Sequence, residues 1–175
     1  MKCLAASFAM LVVFSPPIQA GETPKTPAEF LKFFSYFTGE WKGTSKSADA
    51  THVETWSIQE TPDKQCHIVF ATTDGKPSGQ SLWGFDPKNK RWKGTYFGGD
   101  GAHGTDTIRD APKRPEVKPG DTWKSTVKGI TLDGKATSAS EKWIIVDKDT
   151  ATIELTDRTE GDEKKPDVVT TMKRQ

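Results

Sequence analysis

The sequence predicts an all-β chain, an antiparallel up-and-down β-barrel of about ten strands with one short N-terminal helix. Three observations predict it. After Gly39 no helical periodicity appears, and the chain breaks into short runs of strand-forming residues. Turn residues punctuate those runs roughly every eight to twelve positions, the spacing of consecutive strands. Large aromatic side chains recur on one face of the alternating runs, as a wall with one dry and one wet side requires.

The first element is not part of that wall. Residues 1–20, MKCLAASFAMLVVFSPPIQA, read as an export signal: Lys2 makes a small positive start, Leu4 to Phe14 is an apolar run, Pro16 and Pro17 break it, and Ile18-Gln19-Ala20 suits cleavage. The run is too short to span a bilayer comfortably. The expected destination is the periplasm or the external medium, with no membrane insertion once the signal is removed. Cleavage takes away Lys2 and Cys3. The 25 basic residues less Lys2 then match the 24 acidic ones, so the exported chain is formally neutral. Interleaved, balanced charge provides no footprint for nucleic acid. Cys66 is left without a disulfide partner, and in CHIVF it reads as a small buried hydrophobe rather than a reactive thiol.

Residues 21–38 form a polar leader and the helix. In TPAEFLKFFSYF, Thr26 can cap, Pro27 suits the first helical position and Glu29 can reach back. Phe30, Leu31, Phe33, Phe34 and Phe37 then recur at helical spacing and give one aromatic face.

The barrel is expected over 39–175, with strands near 39–47, 51–60, 65–73, 79–86, 90–98, 102–109, 121–130, 136–146, 150–159 and 167–175. Asp74-Gly75 and Asp133-Gly134 are hairpin turns that need positive φ. Asp86-Pro87-Lys88-Asn89 fits a proline turn, and Gly98 to Gly101 is a turn most side chains would obstruct. The connection DAPKRPEVKPG, with Pro112, Pro115 and Pro119, cannot be an internal strand. A flat sheet this long would leave two adhesive edges, and closure removes them.

Side-chain parity then nominates the interior. Trp56 and Ile58 share a face, as do Ser81, Trp83 and Phe85; Trp92, Gly94 and Tyr96; and Trp123, Ser125 and Val127. The lumen candidates are Glu54, Trp56, Phe70, Trp83, Tyr96, Asp106 and Trp123. Glu54 and Asp106 are the polar members; an inward carboxyl in an aromatic lumen must be paired or protonated and would anchor a ligand. Arg109 and Glu141 are further charges inside predicted strands. The three histidines, His52, His67 and His103, show no metal-ligand spacing, and no catalytic triad, phosphate loop or acid–base pair stands out.

GEWKG, Gly39 to Gly43, placed after a short helix and at the start of a barrel, resembles the Gly-x-Trp signature of the calycin superfamily, which takes in lipocalins, fatty-acid-binding proteins and nitrobindin-type barrels. LWGFDPKNKRWKGTYFGGDG and a late Asp-Lys-Asp-Thr hairpin are similar to small exported bacterial calycin-like proteins of unknown function. The resemblance implies that Gly39 and Trp41 close the barrel, with Arg174 (or Lys173) packed over the indole as a cation on a ring face. Nitrobindin-type barrels hold haem through a histidine, which makes His103 the candidate axial ligand; the residues themselves call for no cofactor. The chain departs from the pattern in lacking the lipocalin disulfide and the paired lid helices of fatty-acid-binding proteins, for KSADATH is a bare turn. The resulting expectation is a barrel that binds a small hydrophobic or aromatic molecule in its lumen. The alternatives are an enzyme using the same cavity, as an isomerase or a haem-dependent detoxifier, and a filled barrel with a structural or interaction role.

Overall fold

The computed structural model describes residues 32, 34–108 and 116–175. The export signal, the leader, most of the predicted helix, and Arg109 lie outside the described residues. Eleven strands follow in order: β1 Gly39–Lys46, β2 Thr51–Glu60, β3 Cys66–Thr73, β4 Lys76–Asp86, β5 Arg91–Gly98, β6 His103–Ile108, β7 Thr122–Ile130, β8 Ala136–Asp147, β9 Thr150–Glu160, β10 Glu163–Lys164 and β11 Val168–Arg174. Each strand from β1 to β9 pairs antiparallel with its successor, and β11 lies between β9 and β1. The sheet therefore has no free edge along this circuit. It is a closed all-β barrel of ten staves.

The eleventh strand is a fragment of the tenth stave. Glu163 and Lys164 pair with Glu160 and Thr159 on the same side of β9 that receives Val168 from β11. Pro166, which has no N–H to give the ladder, interrupts the stave between them. Arg158 Nη1 donates to the Pro166 carbonyl at 2.6 Å and fills the gap. Beside it Asp157 has φ 51° and forms the extra residue of a bulge against β8.

The turns follow the residues that were read as turns. Asp74 and Gly75 have φ 52° and 77°, the two positive values of a tight hairpin. The turn between β1 and β2 is closed by the Ser47 N–H donating to the Ala50 carbonyl, with no lid inserted.

One end of the barrel is plugged. The Phe37 N–H donates to Phe34 O at 2.9 Å and the Thr38 N–H to Ser35 O at 3.2 Å, a tight turn that drops two phenyl rings into the end. Phe34 meets Trp92 at 4.8 Å and Trp83 at 5.7 Å between centroids, and Phe37 meets Trp123 and Trp143 edge-on at 5.7 and 5.4 Å. Trp41, Trp92, Trp123, Ile145, Ile153 and Met172 complete this floor and are almost fully buried. Each ring removes roughly 150–250 Å² from water with few rotors to freeze, so a small aromatic set makes a large core.

Glycines make room for these rings, though not always in the way the parity pattern suggests. A Cβ on Gly94 would sit 2.6 Å from the Trp83 ring, so that indole lies on bare β5 backbone. The glycines flanking Trp41 answer to the last strand rather than to its indole. A Cβ on Gly43 would stand 1.9 Å from the Thr171 carbonyl oxygen and 2.7 Å from Met172 Sδ, so Gly43 is required by the approach of the last strand. Gly39 has φ 118° and lies under the Arg174 guanidinium. Cys66 is half-buried and faces outward over Gly84, and burial pushes its thiol up. It is a less enclosed site than expected, and the raised pKa disfavours the reactive thiolate.

Among the described residues no helix is long and apolar enough to cross a membrane.

Candidate functional site

Above the aromatic floor the barrel holds a cavity of about 350 Å³. Its base is formed by Phe34, Phe37, Trp83, Trp123 and Trp143, its sides by Trp56, Val69, Tyr96, Val127 and Leu155, and its rim by Ser78, Gln80 and Phe97. The rim coincides with an irregularity between β3 and β4, where Ala71 faces Gly79 and Thr72 faces Pro77, leaving Ser78 as the unpaired extra residue.

Tyr96 is shaped into the wall by two absent side chains. A Cβ on Gly104 would meet its ring at 2.8 Å, and one on Gly129 would meet its hydroxyl oxygen at 2.2 Å. The ring therefore lies flat across β6 and β7 and leaves the lumen open.

The polar part of the cavity is a cluster on three neighbouring strands. Asp106 of β6 is only 6% exposed. Glu141 of β8 lies one strand beyond β7, directly across from Ser125. Ser125 Oγ donates to Glu141 Oε2, and Trp143 Nε1 donates to the same oxygen at 2.7 Å. Both donors converge on one Glu141 oxygen. Burial, then the neighbouring Glu141 charge and hydrogen bond, push the Asp106 carboxyl up to about 9. Asp106 Oδ1 finds no hydrogen-bond partner among the described residues. The site is thus a carboxyl pair, one member held protonated at neutral pH by its surroundings, in an otherwise apolar chamber.

Of the seven residues proposed for the lumen, Trp56, Trp83, Tyr96, Asp106 and Trp123 line the cavity. Phe70 does not. It pairs with Ser57 and Gln80, points to the outer face and is 43% exposed, because its strand places Val69 and Ala71 inward instead. Glu54 is half-buried near the open end, accepts from Thr73 Oγ1 at 3.1 Å and is raised by burial, but it is not part of the cavity lining. Glu141, Trp143 and Ser125 were absent from the lumen set. Glu141 and Trp143 alternate correctly on β8, but a single charge in a strand does not announce which way it points.

His103 is exposed and stacks on Phe97 at 6.3 Å, outside the cavity lining. A haem held through His103 does not fit these residues, since the imidazole cannot present itself to the lumen from there. His67 is the inward histidine. It is 1% exposed, sits 4.5 Å from the Phe34 ring, and its Nε2 is 3.5 Å from Glu60 Oε1. Burial lowers its pKa and keeps the ring neutral, as part of the floor.

The closure of the barrel is built from the predicted residues. Gly39 precedes Trp41 at the mouth of β1, and Trp41 and Arg174 are direct partners across β1 and β11. The indole Nε1 donates to the Phe37 carbonyl at 2.7 Å, and the guanidinium covers the other side of the ring.

Fold and site together define a closed, ten-stave antiparallel barrel with an aromatic chamber and one buried acidic cluster. The chain matches no family model and no curated protein. Among solved structures it is similar to Rv2717c from M. tuberculosis, with a TM-score of 0.58 and 16% identity over 87% of this chain and 99% of that one. A redesigned beta barrel gives a TM-score of 0.40 at 15% identity, covering 82% of this chain and 96% of the other. A de novo designed, fluorescence-activating beta barrel gives 0.36 at 14%, covering 81% and 95%. At such identity the likeness to Rv2717c establishes the fold alone.

Proposed function

We propose that the chain is an exported barrel of calycin type that holds a small apolar or aromatic molecule in its lumen. The observation that carries this reading is the 350 Å³ chamber. Its size and its composition, mostly apolar wall with a few converging polar atoms, are those of small-molecule sites. The open space above the floor weighs against a filled barrel. The outward placement of His103 weighs against haem chemistry through that residue. Export to the periplasm or medium rests on the composition of residues 1–20.

The test is a titration of native tryptophan fluorescence with neutral aromatics, retinoids and fatty acids, paired with native mass spectrometry of the freshly purified protein. Trp56, Trp83, Trp123 and Trp143 line the chamber, so occupancy should alter emission saturably. The absence of any saturable response, together with a mass equal to the bare chain, overturns the reading.

A further inference from the structure

We infer that the chamber selects a cationic amine carried on an aromatic or apolar body, with the ammonium against Asp106 and Glu141 and the body among the tryptophans. This rests on the lumen-binding reading and narrows its ligand class.

The inference begins with what surrounds the two carboxyls. Across the ladder Asp106 faces Gly94 on β5 and Val127 on β7, and Glu141 faces Ser125 on β7 and Leu155 on β9. None of these is a cation, and among the described residues lining the chamber there is no Lys, Arg or His. Tyr96 is the only other titratable side chain in that lining. Glu141 has two neutral donors; Asp106 is hydrogen-bonded to Glu141, Ser125 and the Thr107 backbone, and its Oδ1 has no partner among the described residues. A buried carboxylate normally has an opposite charge or a full set of hydrogen bonds, because leaving it without them costs several kcal/mol. Here the carboxyl pair lies in the wall of a space large enough for a guest, with no cation beside it among the described residues of the lining.

An ammonium supplies what is missing. It donates to the carboxyl pair, offsets its charge, and can lie over the faces of Trp83, Trp123 or Trp143, which attract cations most strongly when dry. A neutral alcohol supplies the donor without the charge, and charge-assisted bonds are roughly twice as strong. An apolar hydrocarbon supplies neither. A carboxylate is repelled by the pair and meets no cation among the described residues of the wall.

The experiment is isothermal titration of the purified protein at pH 7 with four near-isosteric probes: 2-phenylethylamine, 2-phenylethanol, ethylbenzene and 3-phenylpropionate. The expected order is amine tightest, by about tenfold or more over the alcohol and hydrocarbon, and carboxylate weakest. Asp106→Asn and, independently, Glu141→Gln should bring the amine to within about threefold of the alcohol while leaving ethylbenzene unchanged. Phe70→Ala, on the outer face, should change none of the four. Equal affinities for amine and hydrocarbon, a preference for the carboxylate, or amine binding indifferent to both carboxyl variants overturns this inference and leaves lumen binding standing. Failure of all four probes, including the neutral ones, overturns the inference and counts against lumen binding with it.

Discussion

The guanidinium carbon of Arg174 lies 4.4 Å from the centroid of the Trp41 ring, and the two residues are direct register partners on the last and first strands of the barrel. The same guanidinium donates to the Thr38 carbonyl at 2.6 Å and to the Tyr36 carbonyl, and its Nε lies 3.5 Å from Asp149 Oδ1. One side chain thus ties the seam, the plugging turn and the β8–β9 hairpin. Trp41 is 2% exposed beneath it.

Trp41→Ala should destabilise the protein by roughly 3–5 kcal/mol, the cost of emptying a well-packed indole site. Urea melts check this. A loss below about 1 kcal/mol would show that the indole does not support the barrel end.

Replacing Arg174 separates charge from shape. Arg174→Ala leaves two backbone carbonyls and a ring face uncovered and should cost about 1–3 kcal/mol. Arg174→Lys keeps the charge but lacks the planar fork that reaches both carbonyls, so it should recover less than half of that loss. Full recovery by lysine would mean that only the cation matters.

Gly43→Ala should be among the most damaging small substitutions, because its methyl would stand 1.9 Å from the Thr171 carbonyl oxygen in the neighbouring strand. Backbone cannot yield there without parting β1 from β11, so a loss of about 2 kcal/mol or more is expected. Gly134→Ala is the control: nothing lies within 4 Å of its added methyl, and only its φ of 83° opposes it. It should cost about 1 kcal/mol. Denaturant midpoints for the two variants, measured together, decide between crowding and backbone conformation.

Stability should fall as pH rises between about 7 and 9. The Asp106 carboxyl is raised from 3.8 to about 9 by burial, so in this window the native state holds a proton that the unfolded state has released. Each such proton gives a slope of at most about 1.4 kcal/mol per pH unit. Below 6.5 the buried His67, which resists a proton that the unfolded chain accepts, contributes a slope of opposite sign that offsets the Asp106 one and flattens the profile. Asp106→Asn should abolish the alkaline loss and uncover the His67 slope, with stability falling as pH drops below 6.5. Superimposable pH profiles for the two proteins would remove Asp106 from the account.

Much of the fold is legible in the residues, and the reasons are local. Turn chemistry places the hairpins, since Asp74-Gly75 can adopt two positive φ values where few other pairs can. Strand positions follow from alternation between those turns, and the ten staves appear close to where they were expected. Phe70 marks the limit of the method. An aromatic in a strand suggests the inside, but the neighbours Val69 and Ala71 hold the inward parity and a single ring cannot override it. The break in the last stave was equally hidden, because it depends on Arg158 meeting Pro166 from the neighbouring strand.

The sequence by itself determined the architecture: a β class and the approximate number and order of the strands. These follow from period, turn residues and parity, which are properties of near neighbours along the chain; the tryptophan–arginine seam was expected only from the resemblance of GEWKG to the calycin signature. Only the tertiary structure decided the site. Asp106, Ser125 and Glu141 are distant in sequence and come together because β6, β7 and β8 lie side by side with matched registers. Whether a carboxyl in a strand is solvated or buried beside another depends on that register and on what packs above it, and a one-dimensional pattern contains neither.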